Sequence, residues 1–234
     1  MPTNEALDLR VLPTADLAAR AAAYLAEYLA EVAAENSRVT VALAGGSTPR
    51  AMHEALACSK DVPWLAVHVY FGDERAVPPE HSDSNYRMAK ESLLDRVPIP
   101  PAQIHRMPAE SPDREGAARA YEALLPDSLD LLVLGMGEDG HTASLFPGSA
   151  ALRETERRVI PVIGPKPPPE RLTITPPVVL SARHRIVLAS GAGKADAVAR
   201  ALEGPWDPET TPIQLAKRGA WFVDPPAAAK LASR

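Results

Sequence analysis

Hydrophobic positions along this chain follow two spacings. From Thr14 to about Glu35 they recur at helical intervals, with Leu17, Ala21, Tyr24, Leu25 and Tyr28 on one side. That spacing predicts an amphipathic helix capped by Thr14. Residues 39–43 form an unbroken β-branched and aliphatic run, which predicts a buried strand. Gly45-Gly46-Ser47-Thr48 then turns the chain, and Pro49 suits the first position of a helix ending near Ala57. A second strand is expected over 65–71, a helix from Asp83 or Ser84 through Leu94, and another after Ser111-Pro112 to about Leu125. A third strand over 129–134 runs into a glycine-rich loop, 135–140. Pro161 to Pro169 holds five prolines, so an extended surface loop is expected there. Further strands are expected over 171–175, 185–190 and 221–223, with a helix over 194–203.

Strands alternating with helices, without an internal repeat, predict one α/β domain over 1–234. Its expected form is a Rossmann-like, mostly parallel sheet with helices on both faces. Ligands of such sheets bind beyond the carboxyl ends of the strands. Four polar or glycine-rich segments follow strands here: Gly45–Pro49, Gly72–Arg75, Gly135–His141 and Gly191–Lys194. All four are expected at one edge.

Composition narrows the function. At 234 residues and 46% hydrophobic, the chain can build a sizeable core, and with 5% aromatics that core must be mainly aliphatic. A formal net charge of −5 argues against a nucleic-acid binder, which needs a basic face. It leaves room for a small anion held by a few converging cations. Cys58 is the single cysteine, so no intrachain disulfide and no multi-cysteine zinc site can form. A cytoplasmic protein is expected, with neither a membrane span nor a signal peptide.

Three motifs carry chemistry. Gly45 to Pro49 joins a strand to a helix, where glycines, hydroxyls and free N–H groups suit an anionic oxygen; the alternative is a helix start capped by Thr48. Gly72-Asp73-Glu74-Arg75 sets two carboxylates and a guanidinium just past a strand, either as a surface ion-pair turn or to orient reacting groups and meet an anion. In Gly135-Met136-Gly137-Glu138-Asp139-Gly140-His141-Thr142 an acid stands two residues before a histidine. Imidazole titrates near neutrality and can take and return a proton; a capping Asp and a packed His is the plainer reading. Arg171 and Lys194 could clamp a phosphate from separate strand ends, as fork and point charge, while Lys166 is expected in solvent among its prolines. His53, His68, His81, His105 and His184 show no metal-ligand spacing with His141, so no metal is expected.

Taken together, these segments resemble the glucosamine-6-phosphate isomerase/6-phosphogluconolactonase family. The resemblance spans about Val39 to Ala229 and rests on Ala44 to Pro49, Gly72 to Arg75 with Asp83 to Tyr86, Gly135 to Ser149, Arg171 to Thr173, and Gly191 to Lys194. It implies a fold like that of glucosamine-6-phosphate deaminase and, on the lactonase side, hydrolysis of 6-phosphogluconolactone without metal or organic cofactor. It implies His141 as the base that activates water, with Asp139 beside it. Gly46, Ser47, Thr48, Arg171 and Lys194 would hold the phosphate, and Asp73 and Arg75 would lie near the substrate. The oxyanion donors stay open between loop N–H groups and Arg75. The deaminases place a glutamate five residues after this histidine, where this chain has Phe146, and read Asp-Glu-Tyr where it has Asp73-Glu74-Arg75. Both differences favour the lactonase. The expected partner is a small sugar-phosphate lactone, with no nucleic acid, no membrane and a monomeric chain. Two other readings would keep parts of the pattern: a non-catalytic sugar-phosphate sensor would not need Asp139 and His141, and a lactonase for unphosphorylated sugars would not need Arg171 and Lys194.

Overall fold

The computed structural model describes residues 6–232. Its elements run β1 (Leu7–Val11), α1 (Thr14–Glu35), β2 (Val39–Leu43), α2 (Ser47–Leu56), β3 (Val67–Phe71), β4 (Asp73–Arg75), α3 (Asn85–Ser92), α4 (Arg114–Leu124), β5 (Leu131–Gly135), β6 (Val159–Ile163), β7 (Glu170–Ile174), α5 (Pro176–Ser181), β8 (His184–Ala189), α6 (Ala195–Glu203), β9 (Gly219–Val223) and α7 (Pro225–Ala228). Six strands form one sheet in the order β1-β9-β8-β5-β2-β3, all parallel.

Burial on both faces explains the aliphatic runs. Val39, Val41 and Leu43 of β2, Leu131 and Val133 of β5, and Ile186 and Leu188 of β8 point to one core, shared with Leu17, Leu25, Met52, Leu56 and Ala89 from α1, α2 and α3. The alternate positions, Ala42, Leu132, Leu134, Val187 and Ala189, point to the other, with Ala118 and Tyr121 of α4, Val178 of α5 and Val198 of α6. Trp221, the largest fully buried side chain, fills that second core and donates its indole N–H to the Ala216 carbonyl at 3.0 Å. Helices therefore lie on both faces, as the alternation predicts.

Chain order sets the position of the cleft. β3 pairs on one side of β2, and after it the chain crosses back so that β5 pairs on the other. Such a reversal parts the loops at the strand ends and opens a crevice there. At the opposite end of the same strands, buried Asp130 accepts from both the N–H (2.9 Å) and the hydroxyl (2.8 Å) of Thr40. That tie holds β2 against β5 where their ladder is short.

Several expectations need correction. Gly72–Arg75 is not only a turn: Asp73–Arg75 forms β4, antiparallel to β7, and β7 pairs antiparallel with β6 in a second, three-stranded sheet. Pro161 lies inside β6 rather than in a loop, so the proline segment is free of strand pairing only from Gly164 to Pro169. A proline needs no ladder N–H at the edge of so small a sheet. β1 is a further strand outside the expected elements, and its residues alternate strictly, Leu7, Leu9 and Val11 against Asp8 and Arg10. Thr14 starts α1 without capping it; its hydroxyl instead donates to Asp224, 3.0 Å away across the sheet edge. Lys194 closes a 3₁₀ turn, Ala192–Lys194, and α6 begins one residue later.

One buried group ties fold stability to pH. His53, on α2, is fully buried; Nδ1 lies 3.3 Å from the Ser92 hydroxyl, and Nε2 has no partner among the described residues. Burial pushes its pKa down to about 4. Between the unfolded value of about 6.5 and that folded value, the unfolded chain binds a proton that the folded chain refuses. Stability is therefore lost as pH falls from about 6.5 to about 4, by roughly 3 kcal/mol in all. Urea unfolding of the wild type and His53→Leu at neutral pH and near pH 4 checks this. The variant should lose about 3 kcal/mol less on acidification, and equal losses in both proteins would acquit the imidazole.

Candidate active site

At the carboxyl edge, where β2 and β5 part, lies a cleft of about 290 Å³, a size suited to a small metabolite. The four strand-end segments meet there. Gly45 and Gly46 come from the β2 end, Gly72, Asp73 and Arg75 from the β3–β4 junction, Gly135 to Glu138 and His141 from the β5 end, and Lys194 from the β8 end.

His141 is placed by a loop that closes on itself. The Gly137 N–H donates to the His141 carbonyl at 2.9 Å, and the Gly140 N–H to the Gly137 carbonyl at 3.1 Å. The Thr142 hydroxyl donates back to the Gly135 carbonyl at 2.9 Å. Gly137 has no room for a side chain: a Cβ would stand 2.0 Å from His141 Nδ1 and 2.4 Å from Asp139 Oδ1. Gly140 turns with φ +90° beside Thr211. Inside this loop His141 Nδ1 lies 2.6 Å from Asp139 Oδ1, and the same oxygen accepts the His141 backbone N–H at 3.1 Å. Partial burial works to raise the Asp139 pKa, but the hydrogen bonds and charge of His141 outweigh it, and the carboxyl titrates below its ordinary range. Asp139 is thus ionised at neutral pH, and its carboxylate favours a proton on the facing Nδ1, the tautomer that leaves the lone pair on Nε2. The Phe146 ring packs at 4.8 Å from the imidazole, tilted 43°.

Four cations line the same cleft: Arg75, Lys166, Arg171 and Lys194. Arg171 does not arrive from the main sheet. It lies on β7, directly across from Arg75 on β4. Like charges in that position repel. Burial, with a smaller push from Arg75, lowers the Arg171 pKa against the pull of Asp73. The guanidinium donates to the Pro168 and Lys166 carbonyls at 3.1 and 3.2 Å and lies 5.5 Å from the Phe146 ring centre. Those bonds fold the 164–169 loop against the cleft. Lys166, expected in open solvent, is exposed yet forms part of the cleft wall. Nothing local in its sequence signals this, because Arg171 is what draws the loop in. Arg75 donates from Nη1 to the Asp83 carbonyl at 2.5 Å, while its buried Nε has no partner among the described residues.

The acids of the Gly72–Arg75 segment brace the site. Asp73 accepts from Asn85 Nδ2 at 3.0 Å and from the Ser144 hydroxyl at 2.6 Å, with Arg171 Nη1 3.9 Å away. Buried Glu74 accepts the N–H groups of Arg75, Asn85 and Tyr86 and the Ser84 hydroxyl, anchoring the start of α3. Burial raises its pKa, and those donors oppose the rise. The role of Asn85 and Ser144 rests on contacts with residues far along the chain, so sequence spacing gives no sign of it.

Two turns that reach the cleft, through Gly46 and through Lys194, start on glycines that supply no capping side chain of their own. Gly46, at φ 106°, precedes α2, and Gly191, at φ 96°, precedes the Ala192–Lys194 turn. Thr48 is not the cap. Ser47 is exposed and Thr48 half-buried, and neither side chain is part of the cleft lining given by Gly45 and Gly46. Asp224 holds the second start by accepting the Gly191 N–H at 3.0 Å and the Ser190 hydroxyl at 2.6 Å. Among the described residues no group of three or more His, Cys, Asp or Glu side chains could hold a metal. No described helix is long and apolar enough to cross a membrane.

Fold and cleft together define a Rossmann-like α/β protein with a carboxylate-tethered histidine among cations at the switch point of its sheet. The sequence pattern of glucosamine-6-phosphate isomerases/6-phosphogluconolactonase matches residues 13–223, and the chain belongs to this family of enzymes. It is 40% identical to the 6-phosphogluconolactonase of Synechocystis sp. (strain ATCC 27184 / PCC 6803 / Kazusa) over 211 residues, 85% of this chain and 87% of that one. It superposes on the solved 6-phosphogluconolactonase of Trypanosoma brucei with a TM-score of 0.87 at 31% identity, covering 98% of this chain and 100% of that one. A monomeric glucosamine-6-phosphate deaminase shares the fold, with a TM-score of 0.83 at 20% identity over 95% of this chain and 99% of that one.

Gly137→Ala isolates the loop constraint. The added methyl must displace the imidazole or the Asp139 carboxylate. Proton NMR of the wild type should show a low-field imidazole N–H signal that vanishes in His141→Ala and in Gly137→Ala, while the thermal midpoint of Gly137→Ala stays close to wild type. A signal unmoved in Gly137→Ala would mean the loop relaxes around the methyl.

Proposed function

We propose that the chain hydrolyses 6-phospho-D-glucono-1,5-lactone to 6-phosphogluconate in the oxidative pentose phosphate pathway, with His141 as the general base. The observation that carries this reading is the 2.6 Å contact of His141 Nδ1 with Asp139 inside a cleft walled by four cations. The relatives named 6-phosphogluconolactonase support the substrate. Phe146 supports the lactonase over the deaminase: the position is buried and apolar, so it offers no carboxylate.

Water is the nucleophile. His141 Nε2 takes one of its protons as the oxygen bonds to the lactone carbonyl carbon. Asp139 stabilises the imidazolium that forms and holds its orientation. The carbonyl oxygen becomes an oxyanion, which calls for preorganised donors; the Arg75 guanidinium, which lines the cleft, is the group at hand. The tetrahedral carbon then expels the ring oxygen, which receives the proton from the imidazolium and becomes a hydroxyl. The new carboxylic acid loses its proton to solvent. No step uses a metal.

The phosphate serves as the handle. Lys194, Arg171 and the N–H groups after Gly46 hold it. An anion between Arg75 and Arg171 would also relieve the repulsion of two guanidinium groups set opposite each other. Lys166 adds a charge at the wall.

Rates on freshly generated 6-phosphogluconolactone, followed by pH-stat, test the reading. His141→Ala should lower kcat about 10²–10⁴-fold; a variant keeping half the activity would overturn the base assignment. Lys194→Ala should lower kcat/KM roughly 10- to 150-fold on the phosphorylated lactone and hardly at all on glucono-δ-lactone. Lys194 is the cleaner probe, because Arg171→Ala would also free the 164–169 loop. Equal losses on both lactones would remove Lys194 from the phosphate site. Chelation followed by gel filtration should leave the rate unchanged.

A further inference from the structure

The two edges of the main sheet are finished differently. At β3 the chain covers its own edge: Gln103 Nε2 donates to the Val67 carbonyl at 2.5 Å, and the His105 N–H donates to the Val69 carbonyl at 2.8 Å. At β1, the other edge, no described residue does this. The Gly219 N–H donates to the Ala6 carbonyl and the Leu12 N–H to the Val223 carbonyl. In this parallel ladder the even-numbered residues of β1 therefore turn their backbone groups toward β9. Leu7, Leu9 and Val11 turn theirs outward, unpaired.

The side chains of this edge complement themselves. Leu7, Leu9 and Val11 line one face, along a mainly apolar groove of about 280 Å³ completed by Leu202, Ala228 and Leu231, with Glu203 as its one charged residue. Asp8 and Arg10 occupy the other face. Arg10 donates from Nε and Nη2 to Asp8 at 2.9 and 2.7 Å, and its guanidinium stacks 4.4 Å above the Tyr24 ring. Both charges stay about two-fifths exposed, 37% for Arg10 and 45% for Asp8.

We propose that β1 is a self-association edge, on which a second copy of this chain adds its own β1 antiparallel about a two-fold axis at Leu9. This register pairs the outward N–H and C=O groups of Leu9 with those of the other Leu9, and those of Leu7 with those of Val11. It sets each Asp8 opposite the second copy's Arg10, so every charge meets its opposite. The two apolar grooves merge on the other face. Sliding the axis to Val11 would set Pro13, which has no N–H, opposite Leu9 and lose the charge pairing. The resulting dimer joins two six-stranded sheets into one and leaves both clefts open, since β1 lies at the far edge from β2 and β5. It replaces the monomer expected from the sequence.

Sedimentation equilibrium of the full chain over a concentration series tests this. A strand-length contact is a small interface, so the wild type should show reversible, micromolar dimerisation. Asp8→Arg places arginines opposite one another, and Arg10→Asp places aspartates opposite one another. Each alone should weaken dimerisation by about 10-fold or more. An equimolar mixture of the two variants should form a one-to-one heterodimer. Circular dichroism and lactonase rates should match the wild type in both, so a folding defect would be seen. A wild type that stays monomeric throughout overturns the proposal. So does a dimer that both substitutions leave intact, or variants that fail to recover association when mixed.

Discussion

Everything at the site depends on the main sheet being wholly parallel. Parallel strands put every carboxyl end on one edge, so each strand delivers its following loop to the same side. The crossover from β3 back to β5 then parts the β2 and β5 loops. A cleft forms without a dedicated domain to enclose it. Because helices cover both faces, the strands are buried throughout and cannot slip register without carrying aliphatic side chains out of one core and into the other.

The second sheet supplies what the first cannot. Parallel strands with short turns end in glycine-rich backbone, good for N–H donors and poor for long side chains. β4 and β7 cross the mouth of the cleft and carry Arg75 and Arg171 there as a facing pair. Two cations held that close need counter-charge. Asp73 gives part of it, 3.9 Å from Arg171, but its oxygens already accept from Asn85 and Ser144. With Lys166 and Lys194 the two guanidinium groups make four cations in the cleft wall against Asp73 and Glu138, a balance that favours an anionic ligand over a neutral one.

The buried acids act as joints. Glu74 ties β4 to the start of α3, Asp73 ties it to the loop after His141, Asp130 ties β2 to β5, and Asp224 ties the turn bearing Lys194 to the end of β9 and to Thr14. Each accepts several N–H or O–H donors, which offsets much of the cost of taking a carboxylate out of water. These joints hold loops from separate strands in one geometry, and that geometry is what the proposed base and phosphate handle would require.

The α/β class, the helices and most of the strands follow from near-neighbour spacing, since the 3.6 and 2 residue periods record which face of an element is buried. The glycine-rich turns and the Asp139–His141 pair are equally local: two residues apart in sequence, they meet inside one closed loop. Tertiary structure decided the rest. β4 is a strand because β7 pairs with it, its three residues being too few to show a period, whereas β1 carries a full alternation, Leu7, Leu9 and Val11 against Asp8 and Arg10. Lys166 reaches the cleft because Arg171 holds its loop by the carbonyls, and Asn85 and Ser144 matter because Asp73 joins them across 12 and 71 residues. Such contacts depend on the spatial order of strands, set by burial over the whole chain, and no local window of sequence contains that order.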